Sequence, residues 1–323
     1  MATKRAKRNW LIAGIVVVVV GLWVAAFAVS DFADSFSGAY AGNGSYDEVV
    51  LEEGESGNKV AMISVLGEIF SDPEGIAPGA SDSNIVEQLE MAQEDPSVVG
   101  IILNVDSPGG GVIASDKIYN KVREINEDIP VVALMGDTAA SGGYYISAGA
   151  SEIVAHRFTW TGSIGVIAMI PNLGEAADKL GISVTTIKSG ALKDIGSPLR
   201  QMTPEEQALL QGLIDEAYNG FVEVVADGRE MPQDRVRQLA DGRIYSGNQA
   251  EELGLVDRLG DQDTAFERAK TLAKDEDAAL VAYQPVRGLF DDIPFLSVRS
   301  PVDQVKEELG IPRRPGAAYL WLP

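Results

Sequence analysis

The chain has 323 residues, of which 46% are hydrophobic and 23% are charged, and its formal net charge is −22. This length allows one large domain or two small ones. A strongly acidic surface repels nucleic acid, so the composition gives no support to DNA or RNA binding. The chain has no cysteine and a single histidine, His156, which excludes disulfides, thiolate metal sites and zinc sites built on several histidines.

The first 30 residues predict a membrane anchor. Residues 10–29 carry no charge, and a helix of about 20 residues spans roughly 30 Å, the hydrocarbon thickness of a bilayer. Basic residues precede this segment and Asp31 follows it, which places the N-terminus in the cytoplasm and the rest of the chain outside. A cleaved signal peptide is the alternative, because Ala26-Phe27-Ala28 is similar to a cleavage site. The apolar stretch is long for a signal peptide and favours a single-pass anchor in the cell membrane.

Composition divides the chain into four segments. After the anchor, residues 31–57 are rich in Gly, Ser, Asp and Glu and predict a flexible linker. Residues 58–285 alternate apolar runs with helical patterns and predict a folded domain. Residues 286–323 form a proline-rich tail that carries the apolar sequence Tyr319-Leu320-Trp321-Leu322. This tail is either disordered or docked along a groove or a neighbouring protomer.

Within the folded domain, short apolar runs predict strands and helical spacing predicts the helices between them. The predicted strands cover residues 60–66, 98–105, 130–135, 152–155, 164–170 and 183–188. The predicted helices cover residues 83–94, a segment ending near 125, 174–180 and 204–229. Strands that alternate with helices indicate crossover connections and a mainly parallel sheet, so the fold class is α/β.

Ser141 is a candidate nucleophile. It lies in the small-residue sequence Ala140-Ser141-Gly142-Gly143, after a buried strand and before a predicted helix. Small neighbours let a substrate carbonyl approach, and a backbone N–H at a helix N-terminus stabilises an oxyanion. The alternative is a serine in a tight contact between a helix and a sheet, where small residues are also common. The motif alone does not decide between the two.

A second candidate is the glycine-rich sequence of residues 106–111, which follows another buried strand. It lies at the carboxyl edge of the predicted sheet, where open α/β sheets place their sites. Its consecutive glycines leave backbone N–H groups accessible to an oxyanion or to a peptide backbone. A phosphate loop and a plain turn are the alternatives, although both the Walker spacing and the G-x-G-x-x-G pattern are absent.

A nucleophilic serine needs a base. His156 lies at a strand end with no acid marked out as its partner, which is typical of a structural histidine. A lysine serves instead where an apolar site keeps its amine neutral near pH 7. Lys188 and Lys193 are both candidates, and the residues around them leave the choice open.

Taken in order, these motifs resemble the signal peptide peptidase family. The resemblance covers roughly residues 58–285 and implies a crotonase-like (Clp protease-like) fold of repeated ββα units. The motifs are Ser107-Pro108-Gly109-Gly110, Ala140-Ser141-Gly142-Gly143-Tyr144-Tyr145, Thr161-Gly162-Ser163-Ile164-Gly165-Val166, Lys188-Ser189-Gly190 with Lys193-Asp194, and Gly242-Arg243-Ile244-Tyr245-Ser246-Gly247 with Leu253-Gly254-Leu255-Val256-Asp257.

The resemblance also implies a role for each site residue. Ser141 is expected to be the nucleophile and Lys193 the general base, with Ser163 orienting the lysine amine. No metal or cofactor is expected. The oxyanion hole is expected to consist of backbone N–H groups of Gly109, Gly110 and Gly142.

The implied function is that of a membrane-anchored serine endopeptidase. By this resemblance it is expected to degrade remnant signal peptides and other membrane-associated peptides, with an active site outside the cytoplasm. The single-copy length matches the family's short form, which implies a ring-shaped homo-oligomer, an octamer, whose dyad is shared between subunits. The rival functions are a crotonase-type acyl-CoA enzyme, a protease of one specific membrane partner protein, and a non-catalytic membrane scaffold.

Overall fold

The computed structural model describes residues 46–72 and 79–285, together with the backbone of residues 318–320. The predicted membrane segment, residues 10–29, lies outside this described part. No helix within it is long and apolar enough to cross a bilayer. Among the described residues, those between Glu48 and Tyr283 and residues 318–320 belong to one compact unit, and the site lies within it.

The apolar runs form strands that build a large sheet and a small one. In chain order the strands are β1 (Tyr46–Glu52), β2 (Lys59–Leu66), β3 (Val98–Ser107), β4 (Gly109–Gly111), β5 (Val131–Ala140), β6 (Glu152–Ala155), β7 (Trp160–Gly162), β8 (Ile244–Ser246), β9 (Arg258–Leu259), β10 (Ala279–Pro285) and β11 (Ala318–Leu320). The large sheet has the order β1-β10-β2-β3-β5-β6-β9, with β7 beside β5 and β8 beside β7. The pairings from β10 to β9 are parallel, and β7 and β8 pair antiparallel.

Helices cover both faces of the large sheet. They are α1 (Asp82–Glu94), α2 (Val112–Ile125), α3 (Gly142–Ser147), α4 (Gly174–Lys179), α5 (Pro204–Gly228), α6 (Gln233–Leu239), α7 (Gly247–Glu252) and α8 (Gln262–Ala273). On one face, α8 packs against β2, β3 and β5. The other face carries the larger core, to which α1, α2, α3 and the last turns of α5 contribute.

The period of two along each strand explains this two-sided burial. In β2, Ala61 and Ile63 belong to the larger core, whereas Val60 and Met62 belong to the smaller one. Full burial of a side chain such as Ile63 stabilises the fold by roughly 1.5–3 kcal/mol. A strand that is buried on both faces has a continuous run of apolar residues in its sequence. This pattern predicted β2 and β3.

Most of the predicted elements are confirmed. Strands at 60–66, 98–105 and 152–155 and the helices at 83–94 and 204–229 lie within two residues of their predicted bounds. The strand predicted at 130–135 is longer than expected. It continues to Ala140 because residues 138–140 pair with β7, a strand that the sequence analysis missed.

Two predicted strands are wrong. Residues 164–170 and 183–188 are irregular, although their apolar spacing is typical of buried strands. Ile164 is buried in the larger core and Val166 packs against it, but the apolar side chains from Ile167 onward are exposed, and Ile187 is 96% exposed. The linker predicted over residues 31–57 also contains β1, whose apolar residues are flanked by polar sequence.

Glu152 links β6 to the neighbouring strand β9 and to α8, and it provides a test of the fold. Its carboxylate accepts hydrogen bonds from Arg258 and Arg268. Burial alone would raise the pKa of Glu152, but the two arginines bring it below its ordinary value of 4.5. A carboxyl whose pKa is lowered by folding stabilises the fold above its unfolded pKa, and this stability is lost as the pH falls through the folded pKa.

We therefore expect Glu152→Gln to lower the free energy of unfolding at pH 7 by roughly 1–3 kcal/mol, the usual cost of losing hydrogen bonds to a charged group. The difference from wild type should shrink as the pH falls below 4.5 and through the lowered pKa of folded Glu152, since wild-type Glu152 then becomes protonated. Urea denaturation at pH 7 and pH 3 measures both quantities. An equal loss at the two pH values would contradict the ion-pair account.

Candidate active site

Ser141 directly follows strand β5 and lies at the carboxyl edge of the sheet. The last residue of β5, Ala140, pairs with Gly162 of β7, and the Ser141 N–H donates to the Gly162 carbonyl at 2.8 Å. Helix α3 begins at the next residue, Gly142. Ser141 thus occupies the turn between a buried strand and a helix, as the sequence predicted.

Ser141 has a strained backbone. Its φ of 55° and ψ of −115° lie outside the regions that non-glycine residues ordinarily adopt. Such strain persists only where the surroundings enforce it, and it is concentrated at functional sites. The side chain is buried, and its Oγ has no hydrogen-bond partner within the described residues.

Backbone contacts with Ile69 fix the glycine segment 109–111. The Ile69 N–H donates to the Gly109 carbonyl and the Gly111 N–H donates to the Ile69 carbonyl, both at 2.8 Å. Gly109 has a φ of 105°, which favours glycine. A Cβ on Gly110 would lie 1.9 Å from the Ile69 carbonyl oxygen, so no other residue fits there.

Gly142 packs directly on this glycine segment. A Cβ on Gly142 would lie 2.6 Å from Ser115 Oγ, 3.1 Å from the Gly110 nitrogen and 3.2 Å from Gly109 Cα. The first N–H groups of a helix have no acceptor inside it, which leaves the Gly142 N–H available to a ligand. The structure therefore brings the three predicted oxyanion glycines together beside Ser141, but the Gly109 N–H already donates to Ser107 Oγ at 3.1 Å.

Ser163 lies on the other side of Ser141. It directly follows Gly162, whose carbonyl accepts from Ser141, and its own N–H donates to the Arg243 carbonyl at 2.8 Å. Ser163 is 7% exposed and also has a positive φ, 49°. Two serines with positive φ, Ser141 and Ser163, thus lie next to Gly162 at the same strand end, the first by a hydrogen bond and the second in sequence.

The two candidate lysines differ in their surroundings. Lys188 Nζ donates to Asp194 at 2.5 Å and to the Ala191 carbonyl at 2.7 Å. Lys193 lies in an exposed turn, and Ser141 Oγ accepts no hydrogen bond from it within one chain. Lys188 is therefore held by an ion pair, whereas no hydrogen bond joins Lys193 to Ser141 Oγ in the described part of the chain.

A charge network anchors the turn that carries Lys193. The Arg200 guanidinium donates hydrogen bonds to Asp194 at 2.8 Å and to Glu206 at 2.5 Å. The Glu206 carboxylate also accepts a hydrogen bond from the Thr203 N–H, which caps the start of α5. The Arg200 guanidinium, with Lys188, holds the pKa of Asp194 well below its usual range. Arg200 and the Thr203 N–H lower the pKa of Glu206 to about 2. The sequence analysis did not single out Arg200 or Glu206, because no local motif marks this network.

The strand β11 lies against the glycine segment. Its residues pair antiparallel with β4, with Ala318 opposite Gly111, Tyr319 opposite Gly110 and Leu320 opposite Gly109. The edge of the glycine segment that is not bonded to Ile69 therefore holds an extended peptide backbone.

His156 lies elsewhere. It is exposed, and its Nδ1 accepts the Phe158 N–H at 3.3 Å. It borders a cavity of about 530 Å³ that Asn104, Gly136 and Trp160 also line and that does not include Ser141. The interpretation of His156 as a residue outside the site therefore agrees with its position.

A strained serine between a parallel strand and a helix, faced by glycine backbone, is typical of serine hydrolases built on α/β sheets. The comparisons with known proteins define the class further. The chain matches peptidase family S49 over residues 123–276 and Clp protease over residues 75–168.

Three relatives illustrate the match. A protein of Enterococcus faecium named as a predicted signal peptide peptidase, SppA, is 39% identical over 86% of this chain and 85% of its own length. Protease 4 of Salmonella typhi is 36% identical over 74% of this chain and 38% of its own length. The chloroplastic serine protease SPPA of Arabidopsis thaliana is 36% identical over 58% of this chain and 28% of its own length. The chain belongs to peptidase family S49 and is a serine peptidase.

The contact between Gly142 and the glycine segment is testable by adding one methyl group. We expect Gly142→Ala to reduce kcat/KM at least about 100-fold, because its Cβ would press on the Gly110 amide, a predicted oxyanion donor, and losing one such donor costs that much. Hydrolysis of a fluorogenic peptide measures this.

Gly212→Ala is the matched control. Gly212 lies in α5 with open space around its Cβ position. The control should keep wild-type kcat/KM and gain about 0.5–1 kcal/mol of stability from helix propensity. Wild-type kcat/KM in Gly142→Ala would contradict the packing account.

Proposed function

We propose that the protein is a membrane-anchored serine endopeptidase that degrades remnant signal peptides and other membrane-associated peptides outside the cytoplasm. The observation that carries this proposal is the strained, buried Ser141 set against the backbone of Gly110 and Gly142. The name of the Enterococcus faecium relative supports the substrate class. The uncharged segment 10–29, preceded by basic residues, supports the anchor and its orientation.

The proposed catalytic domain covers residues 58–285 and has a crotonase-like arrangement of ββα units. The succession of β3 and β4 with α2, followed by β5 with α3, supports it. Residues 1–30 form the anchor, residues 31–57 the linker and residues 286–323 the tail. Membership of a peptidase family favours this function over an acyl-CoA enzyme or a scaffold.

The proposed chemistry uses a serine–lysine dyad. Neutral Lys193 accepts the proton of Ser141, and Ser141 Oγ attacks the peptide carbonyl carbon. The carbonyl electrons move to oxygen, which the N–H groups of Gly110 and Gly142 stabilise. The C–N bond then breaks, protonated Lys193 gives its proton to the leaving amine, and water releases the acyl group by the same steps. Ser163, beside Ser141, orients the lysine amine.

The dyad is proposed to form between neighbouring subunits of a ring-shaped homo-oligomer. Ser141 Oγ has no partner within the described residues, and Lys193 is exposed. Among the described residues, ten of the eighteen exposed large apolar side chains lie between residues 167 and 199. Exposed apolar surface of this kind is typical of a protein interface, and this segment also carries Lys193.

The proposed substrate-binding edge is β4. An extended peptide that adds a strand to β4 would place a carbonyl beside Ser141, and backbone pairing of this kind binds peptides with little regard to their side chains. The antiparallel pairing of β11 with β4 supports this mode of binding. In this proposal, β11 occupies the position of a substrate strand and competes with it.

The shared dyad predicts complementation. Ser141→Ala and Lys193→Ala should each abolish peptide hydrolysis while leaving the fold intact. A mixture of the two variants in equal amounts, dissociated and reassembled, should recover activity at about a quarter of its sites, since random assembly pairs an intact Ser141 with an intact Lys193 at that frequency. Peptide hydrolysis by the mixture, compared with each variant alone, measures this.

Lys188→Ala is the control for the lysine, because Lys188 is already paired with Asp194. Its loss of activity should be milder than that of Lys193→Ala. Activity in Ser141→Ala alone would reject the dyad. An inactive mixture of two variants that each assemble normally would reject its division between subunits.

Competition by β11 predicts activation on its removal. Deleting residues 312–323 should lower KM for a peptide substrate several-fold and leave kcat unchanged, because the edge of β4 becomes free. Steady-state kinetics on the deletion variant and on the full chain measure both constants.

A point variant separates pairing from length. Tyr319→Pro keeps the length of the tail but removes the backbone N–H opposite Gly110 and disfavours a strand at that position. It should lower KM in the same direction as the deletion. An unchanged KM in both variants would show that β11 does not compete with substrate.

A further inference from the structure

Two buried side-chain hydroxyls have no hydrogen-bond partner within the described part of the chain, Ser141 Oγ and Ser115 Oγ. Buried polar groups are nearly always paired, because an unpaired one costs about 1–3 kcal/mol. The proposed chemistry explains the first, which is the nucleophile. The second has no role in it.

Ser115 lies in the first turns of α2, the helix that starts immediately after the glycine segment, and it is completely buried. Its Oγ faces the same side of Gly142 as the Gly110 nitrogen, at 2.6 Å and 3.1 Å from the position that a Gly142 side chain would take. Ser115 Oγ and the Gly110 amide are thus close enough to contact one small atom between them. Sequence patterns gave no sign of this, since Ser115 reads as an ordinary helix residue.

We propose that Ser115 is a further residue of the oxyanion pocket, whose hydroxyl donates a hydrogen bond to the acyl oxygen as negative charge develops on it. This inference rests on the proposed function, because it needs Ser141 as the nucleophile. A hydroxyl rotates freely and holds its donor ready without a partner in the free protein. Pairing it only in the transition state raises kcat rather than affinity for the substrate.

If the proposal is correct, removing the Ser115 hydroxyl should lower the activity without lowering the stability. Ser115→Ala removes an unpaired buried hydroxyl, so its Tm should equal or exceed that of the wild type. Its kcat should fall at least about tenfold, with KM little changed, as expected for an interaction made only in the transition state. Ser115→Cys, which keeps a weak donor in a similar shape, should have a kcat between the two.

Ser147→Ala is the matched control. Ser147 is equally buried, on α3, and its hydroxyl donates to the Gly143 carbonyl at 2.8 Å. Losing that bond should lower the Tm and leave kcat unchanged. A purely structural Ser115 would behave like this control.

The experiment measures Tm, kcat and KM for the full chain and for the Ser115→Ala, Ser115→Cys, Ser147→Ala and Ser141→Ala variants with one fluorogenic peptide. A reduced kcat at unchanged or raised Tm in Ser115→Ala supports the proposal. Wild-type kcat in Ser115→Ala, or an equal loss of kcat in Ser147→Ala, overturns the proposal for Ser115. If Ser141→Ala is inactive in the same experiment, the proposed function still stands. Full activity in Ser141→Ala overturns both.

Discussion

The site depends on one close contact between two pieces of backbone, Gly142 at the start of α3 and the glycine segment 109–111. No side chain fits between them, since a Cβ on Gly142 would meet the Gly110 nitrogen at 3.1 Å and Ser115 Oγ at 2.6 Å. The contact brings two separate strand ends together beside Ser141. It also requires the sharp turn at Ser141, whose backbone strain the packing of β5, β7 and α3 must offset.

The sequence predicted the parts of this arrangement that depend on local pattern. The buried strands β2 and β3 appear as apolar runs because both faces of the sheet are covered, and the glycines near Ser141 appear because close backbone approach permits nothing larger. The ordered motifs then predicted Ser141, Ser163 and three glycines, Gly109, Gly110 and Gly142, as site residues, and the structure brings these residues to one edge of the sheet. The short strand β7 was missed because three residues carry too little pattern.

The errors have a common physical cause. Residues 164–170 and 183–188 carry the apolar spacing of buried strands, yet apart from Ile164 and Val166 their apolar side chains are exposed in the single chain. A sequence pattern shows that apolar surface needs covering but does not say whether the same chain covers it. The Asp194–Arg200–Glu206 network and the unpaired Ser115 hydroxyl were invisible for a related reason, since each is defined only by packing in three dimensions.

The central claim is that Ser141 is the nucleophile. Reaction of the full chain with a fluorophosphonate, followed by peptide mass spectrometry, identifies the modified residue directly. The account predicts a single adduct on Ser141, blocked by prior incubation with a peptide substrate. An adduct on a different serine, or no adduct in a preparation that hydrolyses peptides, would contradict it.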